Sequence, residues 1–147
     1  SPSTWANVRP LLPLLRRLVD ERGIRVRAVG AGEAARGDAF PGLELVPWAE
    51  ETEIAEVQGF DIGIMPLIDG PFERGKSGYK LIQYMACGLP VVGSPVGVNC
   101  DIVRSNVGLL AGNEAGWRDA LVRLIEIAEL RARMGRAGRE RAENSYS

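Results

Sequence analysis

Histidine is absent from the 147 residues. The imidazole is the commonest general base near neutral pH, so neither a Ser-His-Asp nor a Cys-His hydrolase can be assembled from this chain by itself. Cysteine is scarce. Cys87 and Cys100 stand apart, outside any CxxC spacing, which leaves no zinc-ligand pattern and points to two reduced thiols. An excess of one charge is missing too. The formal net charge is −1, so no overall field favours nucleic acid or an anionic membrane. Long hydrophobic runs are also lacking. The apolar stretches are strand-sized, well short of the ~20 residues of a membrane helix, and no signal-peptide pattern is present. The expectations are no nucleic-acid partner, no membrane span and a cytoplasmic location.

What is present is ordinary for a globular protein: 46% hydrophobic and 25% charged residues, enough for one domain, residues 1–147, around a single core. Val8, Leu11, Leu12, Leu15, Leu18 and Val19 recur at helical spacing, with Arg9, Arg16, Arg17 and Asp20 opposite, and Gly23 stops the pattern. Strands are expected over residues 24–29, 43–46, 60–65, 90–93 and 108–111, with helices over 52–57, 78–87 and 98–104. Thr52 is placed to cap the first of these helices, and Gly88 to end the second. Ile82, Met85 and Ala86 mark the apolar face of the second.

Trp117, Ala120, Leu121, Leu124, Ile125 and Ala128 predict a further helix. An arginine-rich terminal helix follows, loosened by Gly135 and Gly138. Its arginines alternate with Glu129, Glu140 and Glu143, which reads as a solvated face rather than a polyanion-binding tail. Alternating strands and helices imply an α/β fold: a Rossmann-like parallel sheet with helices on both faces. Such folds open on a strand. Residues 1–4 read as a loop leading into the first helix, so the first strand is expected upstream of Ser1, in a longer chain.

In open parallel sheets ligands bind beyond the carboxyl ends of the strands. Residues 1–4, 30–32, 47–48 and 66–78 lie there. The last of these ends in Arg74-Gly75-Lys76-Ser77-Gly78 and runs into a helix with Lys80 in its first turn. Unpaired N–H groups, glycines that admit a ligand to the backbone, and a lysine together suit a phosphate. An ordinary polar loop with a serine cap fits the same residues. The GxxxxGK[ST] spacing is not met, and Gly30-Ala31-Gly32 is an incomplete GxGxxG. Ser3 and Thr4 are either helix caps or donors to a diphosphate. Trp48, after Pro47, either shields a base or closes the core.

Residues 62–66, then 78–92 (GYKLIQYMACGLPVV) and Gly93-Ser94-Pro95-Val96-Gly97 resemble the C-terminal domain of the group-1 retaining glycosyltransferases, whose helix follows the pattern EGFGLxxLEAMAxGxPVV. Tyr84 to Val92 is the more specific part. The resemblance implies the GT-B architecture of two facing Rossmann-like domains, this chain being the C-terminal, donor-binding half. It further implies binding of a nucleoside diphosphate sugar and retaining, metal-independent transfer to a glycan, lipid or other acceptor, as in polysaccharide biosynthesis. The acceptor would sit on an N-terminal domain of the same enzyme, through which any peripheral membrane contact would run. No metal and no cofactor beyond the donor is implied.

The family's two glutamates fall on Gly75 and Gln83. Gln83 retains an amide for the ribose, whereas Gly75 has nothing for the sugar, and Glu73 or Lys76 is the alternative. Lys80 matches the lysine of a KLxEYMA-like branch that meets the diphosphate. The site residues implied are Lys80 and Gln83 as catalytic, with Ser3, Thr4, Pro47, Trp48, Lys76, Ser77, Gly78 and Tyr79 as donor contacts. Other enzymes of this architecture, an epimerase or a phosphorylase-like transferase, and a domain of the same fold that binds nucleotide or a partner without catalysis are the rival readings.

Overall fold

The computed structural model describes residues 2–75 and 78–146. The chain forms two compact units, Ser1–Gly59 and Phe60–Ser147.

In the first unit the expected amphipathic helix is two helices, α1 (Pro2–Val8) and α2 (Leu12–Arg22), joined by a 3-10 turn at Arg9–Leu11. Pro10 and Pro13 lack the N–H groups that an unbroken helix would need there. Leu11, Leu12, Leu14, Leu15 and Leu18 are buried. Residues 2–4 are not a loop: α1 already begins at Pro2, because proline suits the first helical position.

Strands β1 (Val26–Val29) and β2 (Leu43–Val46) pair in parallel, Val26 opposite Leu43 and Val29 opposite Val46. Between them the expected loop winds into a 3-10 segment, Glu33–Asp38. Helix α3 (Glu53–Gln58) follows β2. Arg27 donates to Glu44 at 3.2 Å and to Glu56 at 3.3 Å, tying α3 to both strands. Thr52 does not cap α3. Its backbone is already helical (φ −112°, ψ −7°), and its hydroxyl donates back to the Ala49 carbonyl at 3.4 Å.

The second unit has a three-stranded parallel sheet in the order β3 (Gly63–Met65), β4 (Val91–Gly93), β5 (Gly108–Leu110). Gly63 pairs with Val91, and Val91 with Gly108. The central strand β4 is buried throughout, as its uniformly apolar sequence predicts. Helices α4 (Pro71–Arg74) and α5 (Tyr79–Ala86) lie between β3 and β4, α6 (Asn99–Ile102) between β4 and β5, and α7 (Glu114–Glu126) and α8 (Ala128–Ser145) follow. The segment expected as a continuous loop over 69–77 thus contains α4.

Helix α5 ends in a Schellman turn. Gly88 takes φ 77°, its N–H donates to the Met85 carbonyl at 2.9 Å, and that of Leu89 to Tyr84 at 3.1 Å. Its buried residues are Leu81, Gln83, Tyr84 and Met85. The expected face is displaced: Met85 is buried, but Ile82 is half-buried and Ala86 exposed.

The glycines of α8 do not loosen it. The helix is continuous, and Gly135 and Gly138 are buried in it. A Cβ on Gly135 would collide with the Gly88 carbonyl oxygen, and one on Gly138 would meet Met85 Cγ at 3.4 Å. The small residues let α8 lie against the end of α5. Nor is the arginine face wholly solvated. Arg131 donates to the Leu124 and Ile125 carbonyls at 2.7 and 2.8 Å, closing α7, while Arg141 donates to the carbonyl of Asp101, in α6, at 3.0 Å. No helix among the described residues is long and apolar enough to cross a membrane.

Candidate functional site

The carboxyl ends of β3 and β4 and the start of α6 are bound together by polar contacts. Ser94, just past β4, accepts the Leu67 N–H on its hydroxyl at 2.8 Å. Its carbonyl accepts from Asn99 Nδ2 at 3.0 Å. Asn99 is buried, and its Oδ1 meets no donor among the described residues. Neither side chain stands out by type in the sequence as a candidate site residue. The signal the sequence carries is the place of Ser94, directly after the most apolar strand, where a ligand-facing turn belongs.

Helix α5 starts beside this turn. Gly78 is its N-cap residue, with φ 73° and no side-chain cap. A Cβ there would collide with Ile102 Cδ1 and lie 3.0 Å from Val98 Cγ2, so both the backbone angle and the α6 side chains require glycine. No acidic residue occupies the first turn. Lys80 does, and it is exposed, as is Tyr79. Charge and dipole have the same sign here: a cation at the positive end of a helix destabilises it. A positive helix start with no side-chain cap among the described residues has the chemistry that suits an anion. Gln83, one turn on, is buried.

Lys76 and Ser77 lie outside the described residues. Arg74 turns away to Asp69 in a two-pronged ion pair, Nε to Oδ1 at 2.7 Å and Nη2 to Oδ2 at 3.2 Å. The guanidinium holds the Asp69 carboxyl below its usual range, and is itself shifted up. The Arg74 backbone rests on the next turn, since a Cβ on Gly97 would approach the Arg74 carbonyl oxygen to 2.9 Å. Neither Tyr84 nor Cys87 is primed as a nucleophile. Burial pushes the Tyr84 phenol up to about 12. It also pushes the Cys87 thiol up, against the opposing Arg139 charge. Among the described residues no group of three or more metal-ligating side chains is found.

In the first unit Pro47 and Trp48 follow β2, both exposed. The Trp48 indole donates to Glu53 Oε2 at 3.1 Å; it is a surface ring, not a lid on the core. Ser3 and Thr4 belong to α1 and so are not its N-cap. The helix is instead fastened through Trp5 and Arg9, which both donate to Asp38 Oδ2, at 2.8 and 3.0 Å.

A family model described as "Glycosyl transferases group 1" matches residues 4–127, most of the chain. The chain belongs to the group 1 glycosyl transferases. Solved structures agree on the fold. A mutant of S. aureus TarM, in complex with Fondaparinux, alpha-GlcNAc-glycerol and UDP, superposes with a TM-score of 0.78 at 17% identity, covering 100% of this chain and 31% of that one. Anabaena HepE in complex with UDP gives 0.75 at 16% identity, covering 100% and 42%. Sucrose-phosphate synthase from Thermosynechococcus elongatus gives 0.61 at 22%, covering 92% and 30%. No curated protein matches by sequence. This group 1 chain therefore spans less than half the length of the structures it resembles. Its α/β fold is the Rossmann-like one of GT-B enzymes and fits their C-terminal domain.

Proposed function

We propose that this chain is the donor-binding half of a retaining glycosyltransferase. It takes a nucleoside diphosphate sugar, and the sugar passes, with its anomeric configuration kept, to an acceptor held by an N-terminal domain of the same enzyme. The half alone binds donor and transfers nothing. The enzyme works in the cytoplasm, with any peripheral attachment to a membrane made by the other domain. The observation that carries the reading is the start of α5, where a cap and an acidic first turn are replaced by Gly78 and Lys80. UDP in the TarM and HepE complexes supports uridine diphosphate as the leaving group to test first.

The chemical difficulty is the charge that builds on phosphate oxygen as the bond to the anomeric carbon breaks. In the second unit the N–H groups of Gly78, Tyr79 and Lys80 and the Lys80 ammonium oppose that charge, so no metal is needed. The Gln83 amide holds the ribose. In the first unit Trp48, after Pro47, covers the base. Ser3, Thr4, Lys76 and Ser77 are further proposed contacts, argued from sequence.

The test exploits the conflict between stability and binding at Lys80. Lys80→Glu complements the helix dipole and raises Tm by about 1–3 °C, while abolishing binding of UDP and GDP in calorimetric titration. Unchanged binding in that variant sinks the donor-site reading. A second reading, a nucleotide-binding or interaction domain without catalysis, is favoured by Gly75 and Gln83, which stand where the family pattern has glutamates. Donor binding without any transfer, once the acceptor domain is present, would establish it.

A further inference from the structure

Of the three tryptophans, Trp5 and Trp117 are 2% and 5% exposed, whereas Trp48 is 58% exposed. An indole left in water at the carboxyl end of a strand is usually free to turn. This one is tethered at its polar atom, and the space at its root is open only because residue 30 is glycine. Its Nε1–H donates to Glu53 Oε2 at 3.1 Å, and Glu53 is the first residue of α3. At the other end of the side chain Gly30, the residue after β1, lies close beneath it: a Cβ on Gly30 would sit 3.0 Å from Trp48 Cβ and 3.8 Å from Cγ. Gly30 is fixed in turn, its N–H donating to the Val46 carbonyl at 2.8 Å.

We infer that Glu53 is a positioning residue that holds Trp48, in the space Gly30 leaves open, as a preformed platform on which the base of the nucleotide stacks. The inference rests on the donor-binding reading above. A ring ordered before binding loses no rotamer freedom on binding. The indole has one polar atom, and Glu53 occupies it. The ring therefore offers a base its face and no hydrogen bond, and every base has a face to stack. Trp48 adds affinity without choosing the base.

The experiment is titration of the protein with UDP, GDP and inorganic pyrophosphate, for wild type, Glu53→Ala, Glu53→Gln, Trp48→Phe and Glu53→Ala in the Trp48→Phe background. Glu53→Ala weakens UDP and GDP by the same factor, about fivefold. Glu53→Gln, whose amide oxygen still accepts from the indole, keeps wild-type affinity. Pyrophosphate, which has no base, is bound equally by all. Trp48→Phe has no N–H to tether, so Glu53→Ala has no further effect in that background. Wild-type affinity for UDP in Glu53→Ala overturns the inference alone. So does a loss shared by pyrophosphate, or one that differs between UDP and GDP. Failure of wild type to bind UDP or GDP overturns the donor-site reading and this inference with it.

Discussion

Asp38 shows how single side chains hold the first unit together. Its Oδ2 takes two donors, the buried Trp5 indole and the Arg9 guanidinium. Those hydrogen bonds, the indole's first, hold the carboxyl below its usual range. A carboxylate with a depressed folded pKa stabilises above its unfolded pKa, near 3.9, and loses that contribution as pH falls through the folded value. Asp69, held down by Arg74, and Glu44, held down by Arg25, act in the same direction. Asp38→Asn is therefore expected to lower the urea midpoint at neutral pH, with the gap to wild type closing as the pH falls below the unfolded pKa, about 3.9, and through the depressed folded one. A gap that persists unchanged into acid would show that the side chain matters for packing and not for its charge.

At the level of elements, the α5–α8 contact decides more than any local pattern. Gly135 faces the Gly88 carbonyl with no room for a methyl group, whereas Gly37 has nothing within 4 Å of a Cβ and no positive φ. Gly135→Ala is expected to cost about 2 kcal/mol through overpacking. Gly37→Ala is expected to gain about 0.4–1 kcal/mol by restricting the unfolded chain. Denaturant midpoints of the two variants should move in opposite directions, and parallel shifts would contradict the packing account.

The same contact marks the limit of what the sequence discloses. Residues 43–46 and 91–93 carry their strand character in their own composition, and both are strands. Gly88 signals a helix end by its type alone, and the helix ends there. Gly135 and Gly138 signal only smallness. Whether that loosens a helix or admits a neighbour depends on a partner about fifty residues away. The displaced face of α5 has the same cause, since α8 supplies part of its burial. The prolines that divide the first helix, Pro10 and Pro13, are legible in the sequence. In the site, Gly78 and Lys80 could be read from type and spacing. Asn99 could not, because only the fold buries a polar side chain that sequence alone would leave in solvent.

For the molecule as a whole, family and function stand on different residues. Tyr84 to Val92 carries much of the resemblance, and most of its side chains pack in the core: Tyr84, Met85, Leu89, Val91 and Val92 are buried. The proposed chemistry stands on Gly78, Tyr79, Lys80 and Gln83, one turn earlier. A chain could keep the first set and lose the second, and glycine at position 75 with glutamine at position 83 makes that separation a real question. Equilibrium binding of UDP against UMP, in wild type and in Lys80→Ala, addresses it most directly, because the two ligands differ by the one phosphate that the start of α5 is proposed to hold. The account predicts that wild type prefers UDP by about tenfold or more, the value of one charge-assisted contact, and that Lys80→Ala removes most of that preference. Equal affinity of wild type for UDP and UMP, or a preference untouched by Lys80→Ala, would contradict it.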